Sequence, residues 1–393
     1  MRLDVACSHI VDCEHKTAPI DEAGEYFAVG TPAMRDHRIN YAEARRISRE
    51  TFEAWTRRLS PRAGDLLFAR EAPVGPVVRL PDVANVAPGQ RTVLLRPDPD
   101  VVDSKFLYYA LTAPAAQAGL LVKAEGSTVH HLNVPDIRSF EVWVPSLREQ
   151  QAIAEILGAL DDKIAANTAL AATVIQLAST DFAATVRHVA WGPRFEEIAD
   201  ISGGGTPSTK NPALWDGDIW WATPTDMTAL VGPYLESTSR RIAPAGLAAC
   251  SSKLFEPGAI LMTSRATIGA LAINGVPTAL NQGFIAVEPH DPRLRWWLFH
   301  EMESRVDEFI SWANGATFLE LSRGNFKRLP VRVPEETVLI AFDSRIAPLH
   351  DAARGALAEN RTLAATRDAL LPELMSGKLR VRDAEALIVQ AGV

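Results

Sequence analysis

A chain of 393 residues, 47% apolar and 22% charged, is long enough for two to three ordinary domains and apolar enough to bury their cores, which excludes a disordered chain. Glycine (24) and proline (26) lie near average usage, so collagen-like and low-complexity chains are excluded, and three cysteines (Cys7, Cys13, Cys250) cannot build a disulfide framework. The formal net charge of −8 is spread evenly: segments 1–145, 146–193, 194–333 and 334–393 carry −2 each, and no basic tail announces a polyanion partner.

Met1-Arg2-Leu3-Asp4 opens no apolar run of the kind a signal peptide needs, so a reducing, cytoplasmic location is expected. Residues 1–145 alternate short apolar runs (77–80, 92–95) with a helical patch at 105–121, the pattern of a strand-rich α+β domain. From 146 to 186 there is no proline and a single glycine, Gly158. Ile153, Ile156, Leu157, Leu160, Ile164, Ala171, Val174 and Ala178 recur there at spacings of three and four, predicting one long helix. A second strand-rich domain follows over 191–333, with runs at 270–273 and 284–287 and a helical patch at 293–312. Its uncharged stretch 266–287 has the length of a membrane span. Asn274-Gly275, Pro277 and Asn281-Gln282-Gly283 divide that stretch into strands and turns, so no membrane segment is expected.

A second long helix is predicted over 335–375, with Ile346, Leu349, Ala353, Ala356, Leu363 and Leu370 on one face. Pro372 should kink or end it, and Gly377 can terminate it. Asn167 and Asn360 occupy matching places in the two helices, either fixing register in a seam or facing solvent. At ~1.5 Å per residue each helix is a rod of about 60 Å, whose apolar stripe needs a partner.

The two domains repeat one another. Pro61-Arg62-Ala63-Gly64-Asp65-Leu66-Leu67-Phe68 meets Glu256-Pro257-Gly258-Ala259-Ile260-Leu261-Met262. Ala72-Pro73-Val74-Gly75 meets Ala266-Thr267-Ile268-Gly269, Arg45-Arg46-Ile47 meets Arg240-Arg241-Ile242, and Gly126 to Leu132 meets Gly315 to Leu321. The expected fold class is α+β: two duplicated strand-rich α/β domains separated by two long antiparallel coiled-coil helices, with pseudo-two-fold symmetry. The expected divisions are 1–145, 146–190, 191–333 and 334–393.

Catalytic motifs are missing. Ser202-Gly203-Gly204-Gly205-Thr206-Pro207-Ser208-Thr209-Lys210 fits neither a P-loop nor a dinucleotide fingerprint, and reads as a flexible, hydroxyl-rich loop leaving a strand at 195–201. No metal set with ligand spacing is found, and the adjacent His130-His131 would face opposite sides of a strand.

Gly204-Gly205-Thr206-Pro207-Ser208, followed by Trp215-Asp216-Gly217-Asp218-Ile219-Trp220-Trp221-Ala222-Thr223-Pro224, resembles the opening of a target-recognition domain from the DNA-specificity subunit of type I restriction–modification enzymes. Thr263-Ser264-Arg265-Ala266-Thr267-Ile268-Gly269 and Asn281-Gln282-Gly283-Phe284 look like later landmarks of that domain. Pro145-Ser146-Leu147-Arg148-Glu149-Gln150-Gln151-Ala152-Ile153-Ala154 is similar to the family's central conserved region, and Leu370-Leu371-Pro372-Glu373-Leu374-Met375-Ser376-Gly377 to its C-terminal one. Cys13-Glu14-His15-Lys16-Thr17 and Trp55-Thr56-Arg57-Arg58-Leu59 look like another subclass of recognition domain.

The resemblance implies a non-catalytic subunit in which each recognition domain reads one half of a split double-stranded DNA target. It also implies that the helices set the spacer and dock two methyltransferase subunits, with motor–nuclease restriction subunits completing the complex. No cofactor is expected in this chain; S-adenosylmethionine, ATP and Mg belong to the partners. Half-sites lying about one helical turn apart (~34 Å), or a multiple of it, suit a rod of about 60 Å.

Base edges are read by Asn, Gln, Arg, Ser and Thr, and phosphates by local cations. The candidates for DNA contact are therefore Lys16, Thr17, Arg35, Arg70 and Arg91 in the first domain. In the second they are Thr206, Ser208, Thr209, Lys210, Arg265 and Gln282. Trp220 and Trp221 are assigned to the core and domain surface. Two other readings stay open: a two-headed coiled-coil scaffold that binds no DNA, and an enzyme using Trp215, Trp220 and Trp221 as a carbohydrate-stacking surface.

Overall fold

The run Leu66–Arg70 becomes an inner strand because apolar side chains on both of its faces find cover. The computed structural model describes residues 1–82, 85–124, 130–315 and 319–390. It divides into two units, Met1–Ile164 with Arg361–Val393, and Ala165–Asn360. The division falls within both long helices, so each unit contains one strand-rich domain and a stretch of both helices.

In the first unit, Cys7–Asp12, Thr92–Pro97, Leu66–Arg70 and Val74–Arg79 form an antiparallel sheet in that order. Successive strand residues point to opposite faces. Leu66, Phe68, Val93 and Leu95 accordingly pack with the helix Ser104–Thr112, while Leu67, Ala69, Val78 and Leu94 face a second cluster around Val29. A smaller sheet, Arg45–Ile47, Tyr26–Val29 and Val86–Pro88, stands beside it. The buried carboxylate of Asp65 accepts two hydrogen bonds from Arg96, at 2.9 and 2.7 Å, so neither charge is left uncompensated.

The second unit repeats this plan. Ala199–Ser202, Phe284–Pro289, Ile260–Thr263 and Leu271–Asn274 take the places of the four strands above, with Tyr234–Leu235 added at the edge. Arg240–Ile242, Trp215–Ala222 and Thr278–Leu280 repeat the small sheet. The turns agree as well: Gly64, Ala72 and Gly75 have positive φ (82°, 48°, 113°), and so do Gly258, Ala266 and Gly269 (105°, 63°, 93°). The doublets Arg45-Arg46 and Arg240-Arg241 match because the second arginine of each lies over a cross-strand aromatic ring. Arg46 is 5.8 Å from the Phe27 centroid and Arg241 is 3.7 Å from that of Trp220. The repeat landmark at 126–132 and 315–321 lies partly outside the described residues.

The long helices run Leu147–Val186 and Glu336–Met375. In the first unit Ile153, Ile156, Leu157 and Leu160 of one and Leu363, Leu370 and Leu374 of the other are buried in the domain core. In the second unit the two segments run antiparallel: Asn167 Nδ2 donates to Glu359 at 2.7 Å, and Arg345 donates to Asp181 at 2.8 Å. Asn167 is buried, and Asn360 donates to the Thr168 hydroxyl at 3.0 Å, which favours the seam reading of the paired asparagines.

Pro372 does not end the helix. It sits in the last turn, and Gly377 at φ 69° marks the exit. Sequence reading also missed Pro348 within this helix and a further helix, Val381–Gln390. The uncharged stretch 266–287 folds into strands Leu271–Asn274 and Thr278–Leu280 and the start of a third. Leu147–Val186 is long and apolar enough to cross a membrane by length and composition. Ala171, Ala178 and Phe182 on it are buried against protein within the second unit.

A buried polar chain crosses the second unit. Glu303 and Tyr234 bracket two histidines: Glu303 to His300 Nδ1 is 3.0 Å, His300 Nε2 to His350 Nε2 is 3.0 Å, and His350 Nδ1 to the Tyr234 hydroxyl is 2.8 Å. His350 stacks on Trp296 at 3.6 Å, and burial, reinforced by His300, pushes its pKa down to about 3.

Candidate nucleic-acid interface

The candidate residues cluster where loops leave the two sheets. In the second unit, Gly203, Gly204 and Gly205 are buried, and the loop is closely docked instead of loose. A Cβ on Gly204 would lie 2.0 Å from the Leu280 carbonyl oxygen, so only glycine allows the approach. The Gly205 N–H donates to Leu280 at 2.9 Å, and the Trp221 indole donates to the Gly205 carbonyl at 3.1 Å. The expected strand at 195–201 is instead a helical turn, Phe195–Ile198, followed by the strand Ala199–Ser202. Phe195 is buried against Phe326, which pulls that segment out of the sheet.

Docking of this loop presents Thr206, Ser208, Thr209 and Lys210 as exposed residues. The Thr206 hydroxyl donates to Gln282 Oε1, and the Ser208 carbonyl accepts from the Trp215 indole at 3.1 Å. Two backbone bonds bring further loops alongside: Ser264 N–H to the Gly283 carbonyl at 2.8 Å, and Leu321 N–H to the Ser264 carbonyl at 2.9 Å. Arg265 follows Ser264, is exposed, and lies 4.0 Å from Glu320. Thr206, Gln282 and Arg265 therefore belong to one loop cluster. Trp215 and Trp221 are buried and Trp220 is half-buried under Arg241, as expected of core and domain surface.

The first unit has the same loop junction. Arg70 N–H donates to the Arg91 carbonyl at 3.0 Å and Leu132 N–H to the Arg70 carbonyl at 2.8 Å. Arg70 and Leu132 thus stand where Ser264 and Leu321 stand in the second unit. Thr17 donates to Gln90 Oε1 at 3.3 Å. Lys16 and Arg91 are exposed, Arg91 lying 3.3 Å from Glu71. Arg35 donates to the Pro32 carbonyl at 3.3 Å, and Pro32 lines a notch of about 220 Å³ together with Thr17, Arg45, Gln90 and Arg91. Arg70 is mostly buried, 3.3 Å from Asp12 and bonded to the Leu132 carbonyl, so much of its charge is spent on the protein.

Sequence spacing did not reveal the Asp12, Cys13 and His15 group, whose potential ligand atoms lie within 4.8 Å of one another. The Arg70 guanidinium stands among them, 3.3 Å from Asp12 and 3.4 Å from His15. Burial pushes the Cys13 thiol pKa up. A neighbouring cation and a disfavoured thiolate oppose metal binding there.

Two units of one topology, each presenting an exposed polar loop cluster of different composition, define a duplicated recognition protein. The chain belongs to the type I restriction modification DNA specificity domain family, whose profile matches residues 19–176 and 193–342. It is 36% identical over 162 residues to the type I restriction enzyme MjaIX specificity subunit of Methanocaldococcus jannaschii, a match covering 39% of this chain and 38% of that subunit. It is 19% identical over 379 residues to the HindI specificity subunit of Haemophilus influenzae, covering 76% of this chain and 82% of the relative. The fold is that of the type I restriction-modification S subunit from M. genitalium, with a TM-score of 0.62, 18% identity and 95% of each chain covered.

Proposed function

We propose that this chain is the DNA-reading subunit of a type I restriction–modification complex, with each recognition domain reading one half of a bipartite double-stranded target. The observation that carries this reading is the duplicated loop cluster. The backbone bonds that build it recur in both units, while the side chains on it differ. Glu71 of the first unit, next after Arg70, stands where the second has Arg265, next after Ser264. One scaffold with two chemistries suits two dissimilar half-sites.

In this reading the long helices set the spacer between half-sites and dock two methyltransferase subunits. Leu170 and Leu177, one heptad apart on the first helix, are about half exposed, as are Val338 and Ile340 on the second, which suits burial by a partner. Motor–nuclease subunits complete the complex. S-adenosylmethionine, ATP and Mg act on those partners, this chain contributes no catalytic group, and the assembly works in the cytoplasm. The testing experiment is genome-wide mapping of methylated adenine with and without this chain. Loss of one interrupted, two-part motif is expected; an unchanged methylation map contradicts the reading.

A further inference from the structure

Gln90 is a residue that sequence reading passed over. It precedes the strand Thr92–Pro97 by two positions, as Gln282 precedes Phe284–Pro289, and these strands occupy equivalent places in their sheets. Each glutamine is exposed, and each accepts a hydrogen bond at Oε1 from a threonine hydroxyl: Thr17 for Gln90, Thr206 for Gln282. The threonines are also equivalent, lying in the loops that leave Cys7–Asp12 and Ala199–Ser202.

The backbone under both pairs has no slack. A Cβ on Gly89 would lie 2.4 Å from the Gly30 nitrogen, and one on Gly204 would lie 2.0 Å from the Leu280 oxygen. A glutamine serving its own loop would spend its amide on nearby carbonyls. Among the described residues, the Nε2 group of neither glutamine has a protein partner. The threonine bond engages one lone pair of Oε1 and restrains the amide, leaving two N–H donors and a second lone pair unused by the described residues. A restrained amide that both donates and accepts matches the N7 acceptor and N6 donor that adenine presents in the major groove. Arg45 and Arg91 line the notch that holds Gln90, and Arg265 belongs to the loop joined to Gly283, so cations for flanking phosphates stand at both sites.

We infer that Gln90 and Gln282 are a matched pair of base-reading residues, one per recognition domain, each contacting an adenine and each aimed by its threonine. Thr17 and Thr206 are then positioning residues. The inference rests on the DNA-reading function proposed above and adds to it which side chains read and which base they read.

The experiment is selection of bound duplexes from a randomised DNA library by the full chain, assembled with its modification partners, followed by sequencing. Gln90→Ala should lower the preference for adenine at one base pair of one half-site by about fivefold to a hundredfold, leaving the other half-site unchanged. Gln282→Ala should do the same in the other half-site. Thr17→Val should relax the same base pair as Gln90→Ala, and Thr17→Ser should restore it. An unchanged preference profile in both glutamine variants overturns the inference, as does a uniform loss of binding across all sequences. If the unaltered assembly selects no sequence at all, it is the DNA-reading function that fails, and a specific unaltered assembly separates the two outcomes.

Discussion

At the scale of single residues, the two units differ where their backbones agree. Arg265 and Glu71 occupy one position of the repeat with opposite charge, and their neighbours differ accordingly: Glu320 beside Arg265, Arg91 beside Glu71. Such pairs are exposed and contribute little to stability, so the side chains remain open to selection by a ligand. The buried histidine chain is the opposite case. Tyr234 and His300 bond to His350 and Trp296 stacks on it, with Glu303 beyond His300 and Arg354 and Asp351 near Tyr234. His350 therefore stays neutral in the folded chain down to a pH of about 3, whereas in the unfolded chain it takes up a proton near pH 6.5. Between those values the unfolded state binds the extra proton, so stability is fully present above pH 6.5 and falls as pH drops, by up to about 1.4 kcal/mol per pH unit. Urea midpoints at pH 7.5 and 5.5 should show this fall, and His350→Asn should flatten it; the same slope in both proteins contradicts this account of His350.

At the scale of elements, periodicity reported the long helices well. The three-and-four spacing from Ile153 to Ala178 marks the face that is buried, because a long helix repeats the same environment turn after turn. Their ends were less legible: Pro372 reads as a kink or an end, yet the helix runs three residues past it to Met375. Gly64, Gly75, Gly258 and Gly269 were legible as matching points of the repeat, and each adopts a φ that other residues resist. Gln90 and the Asp12–Cys13–His15 group were not legible, since their partners lie on other loops and no local spacing encodes the meeting. The paired asparagines, Asn167 on Glu359 and Asn360 on Thr168, hydrogen-bond across the helix pair, as residues that set register do. Inserting four residues within 155–180 should therefore change the spacer of the methylated motif or abolish assembly. An unchanged spacer in an assembled, active complex contradicts the helices' role as a ruler.

At the scale of the whole molecule, the chain carries one domain plan twice, and this was the most legible property of the sequence. The Gly64/Gly258 and Gly75/Gly269 pairs announce it, and strand order and backbone bonding repeat it. Composition alone gave no sign of the polyanion partner proposed above. Each segment is net acidic, which the proposed reading accommodates: base edges call for a few well-placed amides and cations more than a basic surface. Exchange of one unit shows whether the two read their targets independently. Residues 1–145 are replaced by the corresponding domain of a relative, and the methylated motif is mapped in cells carrying the hybrid. One half of the motif should change while the other half and the spacer persist; a change in both halves rules out independent reading.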